Sequence, residues 1–208
     1  MTTVTVVIPT LHHRHESLQR ALESIAAQTF QDFVVFVMPD GPDPKLADAL
    51  ANSAIHSVRT LWDQGKIEII PLGRTWHIYG APQRLVAGYL CRTEFMAYLD
   101  DDNLWLPNHL ELLLAAVQGH DFAFAAQERN DGIVFDGEVR VGGIDTSSLL
   151  HRTDALRLTQ WPIDNIHIAD GVFAERLVAA GATYAFVAET TSIYSGSHVG
   201  DGQTPIWR

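Results

Sequence analysis

The sequence predicts an α/β protein, a three-layer sandwich with a mostly parallel central sheet. Short β-branched runs alternate with stretches of helical periodicity from the N-terminus to Ala126. The intervening helical stretches are about 10 to 15 residues long, which suits crossovers between parallel strands. Apolar residues make up 47 % and charged residues 19 % of the chain, the balance of a packed core rather than of a disordered or fibrous protein. With 208 residues the chain can bury one substantial core. A single domain over 1–208 is expected, and its texture divides it into 1–127 and 128–208.

The elements follow in order. Residues 4–8 form a β-branched run ended by Pro9-Thr10, a buried strand meeting a loop. After His12-His13-Arg14-His15, the residues Leu18, Ala21, Leu22, Ile25 and Ala26 recur at helical spacing and make one apolar face. Residues 33–38 give a second buried strand, stopped by the turn chemistry of Pro39-Asp40-Gly41-Pro42. One polar helix is expected over 44–57 and a third strand over 66–70. Residues 73–80 mix Gly, aromatic and basic side chains without a period and read as a loop over a site. Residues 81–91 read as a helix with Pro82 in its first turn. A strand over 95–99 ends in Asp100-Asp101-Asp102, and a helix follows with Leu110, Leu113, Leu114 and Val117 on one face. Residues 121–126 supply a further strand. Beyond 128 the glycines become dense, and 133–135 with 138–141 suggest a hairpin around Asp136-Gly137. Residues 143–150 read as a loop entering a strand that returns to the sheet. A last helix starts at Asp170.

Composition removes several function classes. The formal charge of −11 opposes a broad nucleic-acid footprint, which needs Lys and Arg against phosphate. The single Cys91 forbids an internal disulfide and reads as a small buried hydrophobe. No run of 18 apolar residues exists, and the N-terminus lacks the layout of a signal peptide, so a cytoplasmic location is expected.

The aspartate triplet is the leading site candidate. Three carboxylates at the tip of a buried strand repel one another, and a divalent cation would neutralise them; the competing reading is a solvated acidic turn in which one Asp caps the next helix. Ligands of parallel α/β sheets bind beyond the carboxyl ends of the strands. That edge collects Pro9-Thr10, Asp40-Gly41 and the triplet. No Gly-rich phosphate loop follows the first strand, which leaves a cation shared between carboxylates and diphosphate oxygens, Mg²⁺ or Mn²⁺, as the means of holding phosphate. Asp170 has two readings as well, a helix N-cap or a general base for a hydroxyl. His12, His13 and His15 suggest a base or phosphate contact or a solvated loop. Trp76, His77 and Tyr79 suggest stacking on a sugar or base, or a lid packed on the core.

Together these segments resemble glycosyltransferase family 2, and within it the transferases of spore-coat polysaccharide type. The resemblance rests on Val6-Val7-Ile8-Pro9-Thr10, on residues 24–30, on Pro39-Asp40-Gly41, on residues 98–107 around the triplet, on residues 143–152, and on Ile168-Ala169-Asp170 before a helix. It implies the GT-A fold, a Rossmann-like three-layer sandwich, and inverting transfer of a sugar from a nucleotide diphosphate sugar to a hydroxyl acceptor. It further implies that 1–127 bind the nucleotide sugar and 128–208 the acceptor. Pro9, Thr10 and Asp40 would line the nucleoside pocket, and Arg14 would contact the nucleotide. Asp100 and Asp101 would lie near ribose and metal, Asp102 would coordinate the metal, and Asp170 would deprotonate the acceptor. His198 sits where some relatives place a histidine that completes the metal site. Family members often carry Arg-Asn where this chain has Gln83-Arg84, so Arg84 and Arg74 are equal candidates for the diphosphate. The family's acidic pair is here Ala169-Asp170, which keeps its second member. The implied acceptor is a glycan or lipid-linked saccharide, with a nucleic-acid acceptor disfavoured by charge, and a homo-oligomer is open. The alternatives are a nucleotidyltransferase, which would normally carry a basic Gly-rich loop after the first strand, and a non-catalytic nucleotide-sugar-binding module, which has no use for Asp170.

Overall fold

A computed structural model of the chain describes residues 2–129, 132, 136–164 and 168–195. Strands β1 (Val4–Thr10), β2 (Phe33–Pro39), β3 (Ile67–Ile69), β4 (Phe95–Tyr98), β5 (Leu104–Trp105), β6 (Phe122–Arg129), β7 (Leu149–Arg152) and β8 (Tyr184–Tyr194) form one sheet in the order β3-β2-β1-β4-β7-β6-β8-β5. The helices are α1 (His15–Ala26), α2 (Leu46–Ala51), α3 (His56–Asp63), α4 (Ala81–Leu90), α5 (His109–Ala116) and α6 (Ala169–Ala179). Strands β3, β2, β1 and β4 run parallel to one another, as do β6 and β8. β7 runs antiparallel between β4 and β6, and β5 antiparallel to β8.

Side-chain alternation builds the three layers. Val4, Val6 and Ile8 of β1, Phe33, Val35 and Val37 of β2, and Phe95 and Ala97 of β4 pack on one face with Leu18, Leu22, Leu50, Leu61 and Leu110 from α1, α2, α3 and α5. The intervening Val7, Phe36, Met38, Met96 and Tyr98 point to the other face, against Ala87 of α4, Trp161, and Phe173 and Leu177 of α6. This period of two is what a strand buried on both sides must show. Because the parallel strands share one direction, the ends of β1, β2 and β4 lie along one edge.

Two expectations are corrected, and two strands were not foreseen. The single helix over 44–57 is two helices: Ser53 donates to Gln19 and accepts from the backbone N–H of Ile55, a local arrangement that competes with continued helix. Residues 138–141 are not a strand; Arg140 pairs with Asp136 and Glu138 across the turn, and residues 133–135 lie outside those described. β8 was not anticipated, although Tyr184–Tyr194 is rich in aromatic and β-branched residues. β5, two residues long, carries no pattern that periodicity could detect. No helix among the described residues is long and apolar enough to cross a membrane.

Candidate active site

The aspartate turn is fixed from both sides of the sheet. The N–H of Leu99 still pairs with the carbonyl of Val7, and the chain then leaves β4 through Asp100, whose N–H donates to Ser147 Oγ at 3.1 Å. Ser147 Oγ also accepts from Asn103 Nδ2 at 2.9 Å, and its carbonyl accepts from Trp105 Nε1 at 2.7 Å. The segment before β7 therefore braces the turn that carries the carboxylates.

Two guanidiniums meet the three acids. Arg14 lies 2.9 Å from Asp101 Oδ1 and 3.0 Å from Asp102 Oδ2, and Arg84 pairs with Asp100. Thr10 Oγ1 donates to Asp101 Oδ2 at 2.7 Å, so both Asp101 oxygens are engaged. Burial pushes Asp101 above the usual carboxylate range. The same cause lifts Asp100 to about 7, with Arg84 opposing and the charges of Asp145, Asp102 and Asp101 adding to it. About 32 % of the Asp100 side chain reaches solvent, so water tempers that effect.

The loop after β3 closes over the same edge. Asp40, 7 % exposed, accepts the backbone N–H of Trp76 at 2.9 Å and of His77 at 2.8 Å, one on each carboxylate oxygen. The loop then passes through His77 (φ 55°) and Tyr79 (φ 51°), a left-handed conformation uncommon for such side chains and often found where a loop serves a ligand. Gly80 (φ 75°) is required twice over, because a Cβ there would also sit 2.6 Å from Pro9 Cβ. Arg84 Nη1 donates to the carbonyl of Tyr79 at 2.7 Å, tying the loop to α4. Beneath this loop is a cavity of about 240 Å³ lined by Pro9, Thr10, Arg14, Asp40, His77, Tyr79, Gly80, Gln83, Arg84 and Asp100, Asp101 and Asp102. A wider open groove of about 390 Å³ lies at the other end of β4, and none of the predicted site residues lines it.

Asp170 is the second residue of α6, whose cap is Ile168, so the N-cap reading does not hold. Its Oδ1 accepts the N–H of Gly171 at 2.8 Å. Burial lifts its carboxyl to about 6, with the Asp145 charge adding and Arg84 opposing. Asp100 and Asp170 thus share the influence of the same two residues, which places the start of α6 beside the aspartate turn. Asp145 is the functional-edge residue that sequence reasoning passed over. It is 6 % exposed, accepts from Gln127 Nε2 at 3.0 Å and from the Ser147 N–H at 2.8 Å, and lies 3.6 Å from Arg129. A lone Asp before Thr-Ser-Ser looks like a turn starter, and its burial comes from β6 and β7.

The remaining candidates separate. Arg84 lines the cavity, whereas Arg74 is exposed and stacks over Trp76 at 3.9 Å. His15 pairs with Asp43 at 2.6 Å, and His12 meets His13 edge to face. His198 lies outside the described residues. Among the described residues no three His, Cys, Asp or Glu side chains converge as a ready cation cage. Both Asp101 oxygens are committed to Thr10 and Arg14, whereas Asp102 and the part-exposed Asp100 each engage an arginine through one oxygen, so the oxygen donors left are Asp102 Oδ1 and Asp100 Oδ2. Two carboxylates completed by phosphate and water suit Mg²⁺ or Mn²⁺, and so the residues fit such an ion.

Beneath Arg84 runs a fully paired buried chain. Trp161 Nε1 donates to Tyr98 Oη at 2.8 Å, Tyr98 Oη lies 2.6 Å from His151 Nε2, and His151 Nδ1 lies 2.7 Å from the carbonyl of Arg152. Burial holds His151 neutral, down to about 4, so Nδ1 carries the proton and Nε2 accepts from the tyrosine. Arg84 lies over the Trp161 ring at 5.4 Å, and this floor supports the guanidinium.

Comparison with known proteins places the chain in a family. The family model described as "Glycosyl transferase family 2" matches residues 5–176. The succinoglycan biosynthesis protein ExoW of Rhizobium meliloti (strain 1021) is 35 % identical over 112 residues, 53 % of this chain and 32 % of that protein. An uncharacterized glycosyltransferase of Acanthamoeba polyphaga mimivirus is 30 % identical over 111 residues, 50 % of this chain and 44 % of that protein. The chain thus spans less than half the length of these curated relatives. Among solved structures, S. aureus TarS 1-349 in complex with UDP-GlcNAc superposes with a TM-score of 0.69 at 17 % identity, covering 97 % of this chain and 62 % of that one. The mannosyltransferase PcManGT from Pyrobaculum calidifontis, in complex with GDP-Man and Mn²⁺, gives 0.70 at 15 % identity, covering 95 % and 58 %. With a family match over most of its length and the sheet architecture of these structures, the chain belongs to glycosyl transferase family 2 and has the GT-A fold.

Proposed function

We propose that the chain is a metal-dependent, inverting glycosyltransferase that moves a sugar from a nucleotide diphosphate sugar to a hydroxyl acceptor. One observation carries the reading: the carboxyl ends of β1, β2 and β4 share a single cavity, which Thr10, Asp40, Asp100, Asp101 and Asp102 line together. The UDP-GlcNAc and GDP-Man with Mn²⁺ held by the two structural neighbours support a donor and a cation of this kind.

Pro9, Thr10 and Asp40 bound the nucleoside, and Arg14 holds the Asp101-Asp102 pair in place. Asp102 with Asp100 would hold the cation, which when bound offsets the negative charge that the diphosphate gains as it leaves. Arg84, in the cavity wall, is assigned to the diphosphate in preference to the exposed Arg74. Asp170 takes the proton of the acceptor hydroxyl as its oxygen attacks the anomeric carbon from the face opposite the diphosphate. The bond to the diphosphate oxygen breaks, its electron pair stays on that oxygen, and the anomeric centre inverts. A carboxyl lifted to about 6 is mostly ionised above neutrality and more basic than an ordinary one, as a general base requires. Residues 1–127 serve the donor and 128–208 the acceptor within one domain, and the acceptor is a glycan or lipid-linked saccharide.

A thermal-shift panel of UDP, GDP, ADP and their sugars, with and without Mn²⁺, tests the reading. A true donor at about 100 times its dissociation constant adds roughly 2.7 kcal/mol of stability. A protein whose melt no nucleotide raises in the presence of Mn²⁺ is not a transferase of this kind.

A further inference from the structure

Helix α4 (Ala81–Leu90) keeps its polar side chains inside and its large apolar ones outside. At about 100° per residue, Gln83, Arg84 and Ala87 fall on one side, and all three are buried. The opposite arc holds Leu85, Val86, Tyr89 and Leu90 and no charged residue. Leu85 and Val86 are partly buried against the core, but Tyr89 is 65 % exposed and Leu90 41 %. A surface helix ordinarily shows the reverse, with its polar side in water. A Cβ on Gly88 would lie 2.8 Å from Leu156 Cδ1, so the turn Thr153–Arg157 packs against α4, and Leu158, 45 % exposed, follows that turn.

The charges around this face select what can cover it. Residues 69–93 carry no Asp or Glu, in a chain with 25 of them and a net charge of −11, yet they include Arg74, Arg84 and Arg92. Arg84 is buried in the cavity wall, whereas Arg74 and Arg92 are exposed. Arg92 Nη1 closes the end of α4 by donating to the carbonyls of Tyr89 at 3.0 Å and Cys91 at 2.8 Å. The exposed Arg157 lines the same groove as Arg92. The acids of that groove, Glu94 and Asp154, lie 2.6 Å and 3.9 Å from Arg152, so Arg92 and Arg157 have no carboxylate partner among the described residues. An apolar strip with a tyrosine and flanking arginines is the composition of a helix lying in a membrane interface: aliphatic side chains enter the acyl boundary, tyrosine sits at headgroup level, and arginines meet lipid phosphate. A second copy of the chain suits the strip less, because three turns of helix, roughly 15 Å by 10 Å, fall far short of the ~800 Å² per partner of a stable interface. We infer that the outer face of α4, with Leu158, Arg92 and Arg157, docks the protein on an anionic lipid surface. Because α4 starts in the wall of the donor cavity and is only about 15 Å long, docking holds the site close to the membrane. The inference goes beyond the transferase reading and does not depend on it.

Flotation with lipid vesicles tests the inference, using phosphatidylcholine alone and phosphatidylcholine mixed with phosphatidylglycerol, at low and high salt. Wild type should float with the mixed vesicles at low salt and much less with phosphatidylcholine alone or at high salt. No binding to the mixed vesicles, or equal binding to both kinds, overturns it. Tyr89→Ser combined with Leu90→Ser should weaken binding to the mixed vesicles at least about tenfold, and Arg92→Gln combined with Arg157→Gln should abolish the preference for them. Binding by either double variant within about twofold of wild type overturns the inference. None of the four residues lines the donor cavity and all four are exposed, so each variant should melt close to wild type. Leu90→Trp keeps the strip apolar and should bind the mixed vesicles more tightly; an unchanged or weaker affinity overturns the inference whether or not the serine variant folds. Analytical ultracentrifugation without lipid gives the remaining outcome: a dimer that the Tyr89→Ser, Leu90→Ser variant dissociates means that a second copy covers the face, and this too overturns it. Vesicle binding is read without nucleotide, so a failure of docking leaves the transferase reading standing, and a failure of nucleotide binding leaves the docking standing.

Discussion

Replacing Asp170 by Asn should stabilise the protein at alkaline pH while leaving its fold intact. The carboxyl of Asp170 is lifted from 3.8 to about 6, chiefly by burial and then by the Asp145 charge. A group whose pKa is raised on folding contributes stability below its unfolded value, and that contribution is lost as pH rises through the folded value. At pH 8 the wild type therefore holds an ionised carboxylate in a place that prefers it neutral. The difference of about two pH units, at roughly 1.36 kcal/mol each, sets an upper bound near 3 kcal/mol. Asp170 is only half-buried, and screening brings the expected gain to about 1 to 2 kcal/mol. Asn has nearly the same shape and its Oδ1 can still accept the Gly171 N–H, so little else changes. Thermal melts of both proteins, free of cation, at pH 3.5 and pH 8 make the comparison. In a chain of this size each kcal/mol moves the midpoint by about 2 to 4 °C. The variant should melt a few degrees higher at pH 8 and level with wild type at pH 3.5. A variant that is no more stable at pH 8, or equally more stable at both pH values, refutes the electrostatic account of this carboxyl.

Three further substitutions probe the frame around the site. Tyr98→Phe removes the hydroxyl between Trp161 Nε1 and His151 Nε2, leaving two buried polar atoms unpaired; a loss of about 2 to 4 kcal/mol should appear in urea unfolding, and an unchanged midpoint would mean the chain of bonds contributes nothing. Gly80→Ala places a Cβ against Pro9 at a positive φ and should cost roughly 1 to 3 kcal/mol, with a higher KM for the donor because the loop must shift; unaltered stability and KM would show the loop is not held as described. Thr10→Val strips the hydroxyl that donates to buried Asp101 and should cost about 1 to 3 kcal/mol in the same unfolding assay, an effect absent if Arg14 alone satisfies that carboxylate.

The parts of the fold that sequence revealed are those with local signatures. β1, β2 and β4 are buried on both faces and read as unbroken apolar runs, and α1 announces itself through Leu18, Leu22 and Ile25. The aspartate triplet was visible because acids rarely gather at the end of a buried strand. What escaped depends on contacts distant in the chain. Ser147 and Asp145 take their roles from Asp100, Asn103 and Gln127, 18 to 47 residues away, and no local pattern marks a serine that braces a turn on another strand. β8 was missed for a different reason: its residues alternate imperfectly, and a register shift at Ala126 breaks the period that would have exposed it.

The central claim is that Asp170 is the base of a sugar transfer whose donor lies in the cavity below the 73–80 loop. Release of nucleoside diphosphate from the preferred nucleotide sugar, measured with saccharide acceptors and Mn²⁺ for wild type and Asp170→Asn alongside donor affinity, tests it most directly. The account predicts that the variant keeps donor affinity within about twofold and loses turnover by about 10² or more, the scale of a lost general base. Unchanged turnover in Asp170→Asn would contradict it.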